Sequence, residues 1–409
     1  MLATDLYTIP VNQLQLGMTI HGIAEQAGKL TVKKKGKVAH LTLIDQLSAH
    51  GVVSVVIEKA KLPTANVLQK LSKQKQLIQT SKSLVSEAES GSIFADFEST
   101  EISLEMKFAG QLLKRSHEIH KKFSDKIRQS IAVDLSEVKD IALNIYGSLS
   151  RHPSALLSLS MLMTANNYLA KHAIHSAILM CYFAKHLGMQ QADCERLALL
   201  GYVYDMGMLK IPKHIMDKNA ALNDEEKTAM QAHVLYSLDI VAPLQLDNDL
   251  NMAIEQHHER LHGNGYPNRV SGATIHKFSR MLAIVDCYNA LTNQRAYKQG
   301  DTPTHALKHL SKVENGYDPK LVLRFIRAMG VYPVGSLVLL SNKRVAVVIK
   351  NHTVEAAKPV VKVFYSLSAK AYITPQTINL ATPHNELTIN KPILAEQYGL
   401  DIDKSLFLK

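Results

Sequence analysis

The sequence predicts a multidomain protein: an all-α domain in the middle of the chain, a small α+β module before it and a small β module after it. Three observations carry this. A chain of 409 residues exceeds what one ordinary core supports, so two or three domains are expected. Short β-rich runs cluster toward the two ends. Between them, apolar residues recur at helical intervals.

The first module, residues 1–62, rests on Leu6–Val11, Leu30–Val32 and Gly51–Ile57, β-rich runs separated by glycine and polar turns. Residues 63–100 turn rich in Gln, Lys and Ser, with aromatics only at Phe94 and Phe97. Such a composition buries little and suits a linker. The helical domain, residues 101–330, opens with Phe108, Leu112, Ile119, Phe123, Ile127 and Ile131 near one helical face. Asn223 with Glu226 reads as a capping box before the His233 helix, and Thr302-Pro303 and Asp318-Pro319 read as helix starts. Gly188 and Gly330 stand where helix ends favour positive φ. Strands return in the last module, residues 331–409, at Ser336–Leu340, Val345–Ile349 and Val360–Phe364, with Ser341–Arg344 as a hairpin turn.

Composition narrows the function. Cys181, Cys194 and Cys287 have no C-x-x-C spacing, which argues against a disulfide framework and a thiolate zinc site. The opening Met1–Asp5 lacks a basic head before an apolar run, and no stretch of about 18 apolar residues occurs, so a cytoplasmic chain without a membrane span is expected. A formal charge of +11 suits nucleic acid, a membrane surface or an anionic small ligand equally. With no Trp and 9 Phe the chain lacks a stacking platform for single strands, and a nucleic-acid partner is not expected.

Candidate ligands for a divalent metal are His175, Asp205, His233, the pair His257-His258, and Asp286. Among 19 histidines, one such as His233 on an apolar helix is by itself more readily a core residue than a ligand. The surrounding string changes that balance. His257-His258-Glu259-Arg260-Leu261-His262-Gly263-Asn264-Gly265-Tyr266-Pro267 closely resembles the signature loop of the HD-GYP family. His175-Ser176, Gly207, Ile211-Pro212 and His233 resemble further family positions, as does Asp286–Thr292 followed by Arg295 and Tyr297. The resemblance covers roughly residues 135 to 330. Leu14–Met18 resembles the opening of a module often attached to this family, and Gly330–Gly335 resembles the entry to its C-terminal β extension.

The resemblance implies an HD-type helical metal-phosphohydrolase domain that opens the ring of cyclic di-GMP with two or three metals. Asp205 would be the bridging, catalytic carboxylate. His233, His257 and His258 would complete one metal, and His175 with Asp286 would hold the other. Neutral imidazoles suit iron or manganese, with zinc as a further choice. Gly265, Tyr266 and Pro267 would shape the guanine pocket, where Tyr266 stacks on a base, and Arg295 would pair with a phosphate. Without that resemblance, Arg295 reads equally well as a helix-end salt bridge.

Several positions depart from the family pattern. Tyr204 stands where the His of the His-Asp pair belongs, and a phenol protonated at neutral pH is a poor ligand for divalent metals. Met208 replaces the lysine three residues after Asp205, Lys171 disfavours a third metal, and His262 replaces an aspartate of the loop. His172 and His262 are conceivable substitute ligands and Lys210 a substitute cation, each weighed against an ordinary solvated side chain. One metal position is therefore expected intact and the second damaged. Function divides between weak hydrolysis of cyclic di-GMP, binding of nucleotide and metal without turnover, and a scaffold for signalling-protein partners.

Overall fold

The computed structural model describes residues 6–11, 19–26, 36–37, 47, 52–58, 102–162, 168–293, 300–352, 355–383, 385–400 and 402. The chain divides into two compact units, Met1–Gly91 and Ser92–Lys409.

In the first unit, strands β1 (Leu6–Pro10), β2 (Thr19–Gln26), β3 (Gly36–Lys37) and β4 (Val52–Glu58) form a sheet in the order β1-β4-β2-β3. β1 pairs antiparallel with β4, Tyr7 opposite Ile57 and Ile9 opposite Val55. The β-branched β4 supplies Val52, Val55 and Ile57 to a small core shared with Val11, Ile20 and Leu47. β2 was not legible as a strand. Its pairing with β4 shifts register between Ile20 and Gly22 and again between Ile23 and Glu25, which breaks the alternation a strand shows in sequence. The run Leu30–Val32 and the stretch 63–100 lie outside the described residues.

The second unit is mainly helical: α1 (Ile102–Arg128), α2 (Ser136–Arg151), α3 (Pro153–Met161), α4 (Tyr168–His186), α5 (Gln191–Val203), a 3-10 turn (Met206–Lys210), α6 (Lys213–Met216), α7 (Asp224–Gln231), α8 (His233–Val241), α9 (Asn248–Gln256), α10 (Lys277–Thr292), α11 (Pro303–Leu310) and α12 (Pro319–Met329). α1 buries Leu112, Ile119, Phe123 and Ile127. Ile131 departs from that face and is 51% exposed, because α1 ends at Arg128 and Ser130 takes a left-handed φ of 56°. α4 is apolar around most of its circumference and is buried almost throughout from Ala170 to Ala184, as a central helix must be. Asn223 and Glu226 do form a reciprocal capping box, but it starts α7, and α8 begins separately at His233. Thr302 and Asp318 cap α11 and α12, and Gly188 and Gly330 take positive φ just past α4 and α12.

The same unit contains strands β5 (Leu337–Leu340), β6 (Arg344–Lys350), β7 (Val360–Ser366), β8 (Ala371–Asn379) and β9 (Ile389–Ile393), ordered β8-β7-β6-β5-β9. Leu337, Val345, Val347 and Phe364 pack on one face and Val338, Ala346, Val348 and Val361 on the other. Burial on both faces explains why these strands read as unbroken apolar runs. β8 is largely exposed and β9 carries a central Lys-Pro, so neither has the alternation that reveals a strand. Among the described residues no helix is long and apolar enough to cross a membrane.

Candidate metal centre

The site is built where the ends of short helices meet the sides of two long ones. Tyr204 and Asp205 follow the last turn of α5, His233 opens α8, His257 and His258 follow α9, and Asp286 projects from the middle of α10. Gly207 makes the approach possible. A Cβ there would lie 2.0 Å from the His233 carbonyl oxygen, so only glycine lets the turn after Asp205 lie against the start of α8. The Gly207 amide donates to Ser237 Oγ at 2.8 Å and locks the two together.

One pole is a histidine cluster. Ring nitrogens of His233, His257 and His258 lie within 4.8 Å of one another. His233 Nε2 is 3.1 Å from His258 Nε2 and 3.4 Å from Asp205 Oδ1. His233 Nδ1 donates to the Met230 carbonyl (2.7 Å) and His257 Nδ1 to the Ile254 carbonyl (2.6 Å). These bonds set the tautomers and leave Nε2 of each ring as a lone pair aimed inward. His257 Nε2 is buried with no hydrogen-bond partner. Burial lowers the pKa of all three rings, His257 to about 3, so they are neutral. Converging neutral imidazoles beside a carboxylate fit a divalent metal.

The other pole is arranged differently. The Tyr204 hydroxyl donates to Asp286 Oδ1 at 2.7 Å, and His172 Nε2 lies 2.6 Å from that hydroxyl and 3.1 Å from the same carboxylate oxygen. His172 Nε2 is also 4.0 Å from Asp205 Oδ2. Tyr204 is fully buried, and burial, with Asp286 and Asp205 nearby, pushes its phenol well above the ordinary value. It is a neutral donor. Burial pushes the Asp286 carboxyl up, but the hydrogen bond with His172 outweighs it and holds the group well below the ordinary carboxylate range. One of the two Asp286 carboxylate oxygens, Oδ1, is thus engaged by a phenol and an imidazole.

His175 is not part of this arrangement. Its Nδ1 bonds Asn289 Oδ1 at 2.9 Å and its ring lines a separate cavity with Leu157, Leu179 and Asn351. The histidine of α4 level with Asp286 is His172, one helical turn earlier and only 3% exposed, which also corrects its reading as a solvated side chain. His262 is exposed and its Nε2 bonds the Val313 carbonyl at 3.1 Å, bracing the loop against the turn before α12. Tyr266 stacks on the His258 ring, centroids 4.6 Å apart, and Gly265 is buried where a Cβ would meet Glu259 Cα at 2.5 Å. Pro267 follows Tyr266 in the same loop, half-buried. Met208 is half-buried in the 3-10 turn, and the Lys210 ammonium lies 5.8 Å from the Tyr236 ring. Lys171 is half-buried, and burial lowers its pKa. Arg295 and Tyr297 lie outside the described residues. Asn289, which links α10 to α4, was not singled out by sequence; an asparagine amid apolar residues on a buried helix is the signal that marks it.

Residues 154–321 match the HD domain family and residues 6–138 match a domain of unknown function, DUF3391. The chain is 33% identical to cyclic di-GMP phosphodiesterase PA4108 of Pseudomonas aeruginosa over 62% of this chain and 61% of that protein. It is 35% identical to 3'3'-cGAMP-specific phosphodiesterase 1 of Vibrio cholerae over 35% of this chain and 34% of that protein. The matches therefore span about three fifths and one third of those relatives' own lengths. A solved structure of Bd1817, a HDG"Y"P protein from Bdellovibrio bacteriovorus, aligns over 78% of this chain and 98% of that one, with 14% identity and a TM-score of 0.43. With the histidine pair and its loop after α9 and the aspartate after α5, this chain has an HD-domain match preceded in sequence by a DUF3391 match, and over that span it is similar to the HD-GYP cyclic di-GMP phosphodiesterases.

Proposed function

We propose that this protein binds cyclic di-GMP at a centre that holds a single divalent ion, and that its hydrolysis of the ring is weak or lost. Asp205, His233, His257 and His258 would hold the ion, iron or manganese by the nature of the donors. When bound, such an ion supplies Lewis acidity and lowers the pKa of water. The observation that carries the reading is the Tyr204 hydroxyl, set between His172 and Asp286 at 2.6 and 2.7 Å.

That hydroxyl has two effects. It offers no neutral nitrogen, and it occupies one of the two Asp286 oxygens available to a second ion. Met208 adds a third loss, since it places a thioether where the family has a cation to meet the phosphate. Together these remove electrostatic stabilisation of several kcal/mol, about 10²–10⁴-fold in rate. Ground-state binding is affected less, because only interactions stronger in the transition state speed the reaction. Tyr266 and Arg295 remain as candidate contacts for base and phosphate, so the protein retains the character of a receptor, with other signalling proteins as its partners.

The test is element analysis of purified protein with a cyclic di-GMP hydrolysis assay and calorimetric titration. About one ion per chain, measurable nucleotide binding that weakens in Arg295→Ala, and little linear product are expected. Two tightly held ions per chain, or fast turnover, would overturn the reading. A visible charge-transfer band from a ferric tyrosinate would show that Tyr204 serves as a ligand after all.

A further inference from the structure

The polar groups that join α4 to α10 lead away from the metal centre to a small cavity. Asn289 Nδ2 donates to the His172 carbonyl at 2.8 Å and to Ser176 Oγ at 2.7 Å. A carbonyl only accepts, so that end of the amide is the nitrogen, and Oδ1 is the atom facing His175 Nδ1 at 2.9 Å. His175 Nδ1 therefore carries the ring proton and Nε2 is a bare lone pair. That Nε2 is buried and has no hydrogen-bond partner.

Asn351, just past β6, is fixed in the same way. Its Nδ2 donates to the Met329 carbonyl at 2.8 Å, which leaves Oδ1 as an acceptor, also buried and without a partner. Both residues line one cavity of about 10 Å³. The other walls are apolar, Leu157 and Val334 among them, except for Tyr182, whose hydroxyl is committed to the Ala328 carbonyl at 2.8 Å. Two buried acceptors without a partner thus belong to residues that line one small space, and leaving both bare would carry the full cost of desolvation.

We infer that this cavity is the site of one buried water molecule, donating one proton to His175 Nε2 and the other to Asn351 Oδ1. Water is the small ligand with two protons to give, and the volume is that of one molecule. The bridge ties α4 and α10, which carry His172 and Asp286, to the C-terminal sheet. His175 and Asn351 are positioning residues that act through Asn289 and the water. The inference does not depend on how many metals the centre holds.

The experiment is ¹⁵N NMR of the full chain with labelled histidine, His175 being assigned from His175→Gln, together with a high-resolution crystal structure. Expected are the Nδ1–H tautomer of His175 and density within hydrogen-bond distance of both acceptors. Asn351→Leu should fill the cavity, move the His175 Nε2 resonance toward that of an unbonded lone pair, and speed amide exchange in α4 and α10 about tenfold. An Nε2–H tautomer, an empty cavity, or unchanged resonance and exchange in Asn351→Leu would each overturn the inference. Should that variant fail to fold, the wild-type tautomer and density still decide.

Discussion

Tyr204 is the residue on which the proposed reading turns, because its buried hydroxyl donates to Asp286 Oδ1 and offers a metal no neutral nitrogen. Replacing it with histidine puts a neutral nitrogen donor beside Asp205 and Asp286, near His172. Tyr204→His is expected to raise metal content from about one toward two per chain by element analysis. The proposed reading has Met208 leave a bound phosphate without a cation, and on it Tyr204→His with Met208→Lys should hydrolyse more cyclic di-GMP than the two single changes together account for. Anaerobic assays with Mn²⁺ and Fe²⁺ measure this, and a double variant that holds two metals yet stays inert would move the lesion elsewhere, to His262 first. Tyr204→Phe separates stability from chemistry. It removes a buried donor to a carboxylate, at a cost of about 1–3 kcal/mol, and should lower Tm by several degrees with no gain in metal.

At the scale of elements, the centre depends on how closely the turn after Asp205 meets α8. Gly207 has no room for a methyl group, with the His233 carbonyl at 2.0 Å and the Ser237 amide at 2.6 Å from the added carbon. Backbone on both sides cannot yield cheaply. Gly207→Ala is therefore expected to push α8 from the turn, separating His233 from Asp205, and to lose both metal and several kcal/mol of stability. Thermal unfolding and element analysis of the same preparation read both effects, and a variant with normal Tm and full metal content would refute the close-packing argument. The α7 cap gives a contrast. Asn223→Ala removes a capping box at an exposed helix start, costs about 1 kcal/mol, and should leave metal content unchanged.

Across the whole molecule, buried neutral histidines make stability depend on pH. His120 is lowered to about 4, and His175 and His257 to about 3, each chiefly by burial. In the unfolded chain these rings titrate near 6.5. Below that pH the unfolded state binds protons that the folded state refuses, so stability present above pH 6.5 is lost as pH falls toward 3 or 4. Each group contributes about 1.4 kcal/mol per pH unit in that window. Urea unfolding of metal-free protein between pH 7.5 and 5 should show a steep fall in midpoint, and a flat profile would contradict the burial of these rings as neutral groups.

Much of the fold and one half of the centre could be read from the residues alone. The loop His257–Pro267 and the isolated His233 identified the histidine cluster, because consecutive histidines followed by a Gly-Tyr-Pro turn form a local pattern that survives without knowledge of the packing. The helix starts at Thr302 and Asp318 and the doubly buried strands β5 to β7 were legible for the same reason: caps and apolar runs are local. The edge strands β8 and β9 and the bulged β2 were not, since pairing rather than patterning makes them strands. The sequence by itself, through its resemblance to the family pattern, singled out Tyr204 at the position where that pattern has a histidine. Only the tertiary structure decided what the phenol does there and which histidine of α4 meets it. His172 and His175 are one turn apart and equally plausible as letters; the rotation of α4 against α10, set by buried apolar contacts and the Asn289 amide, turns the first toward Asp286 and the second toward Asn351.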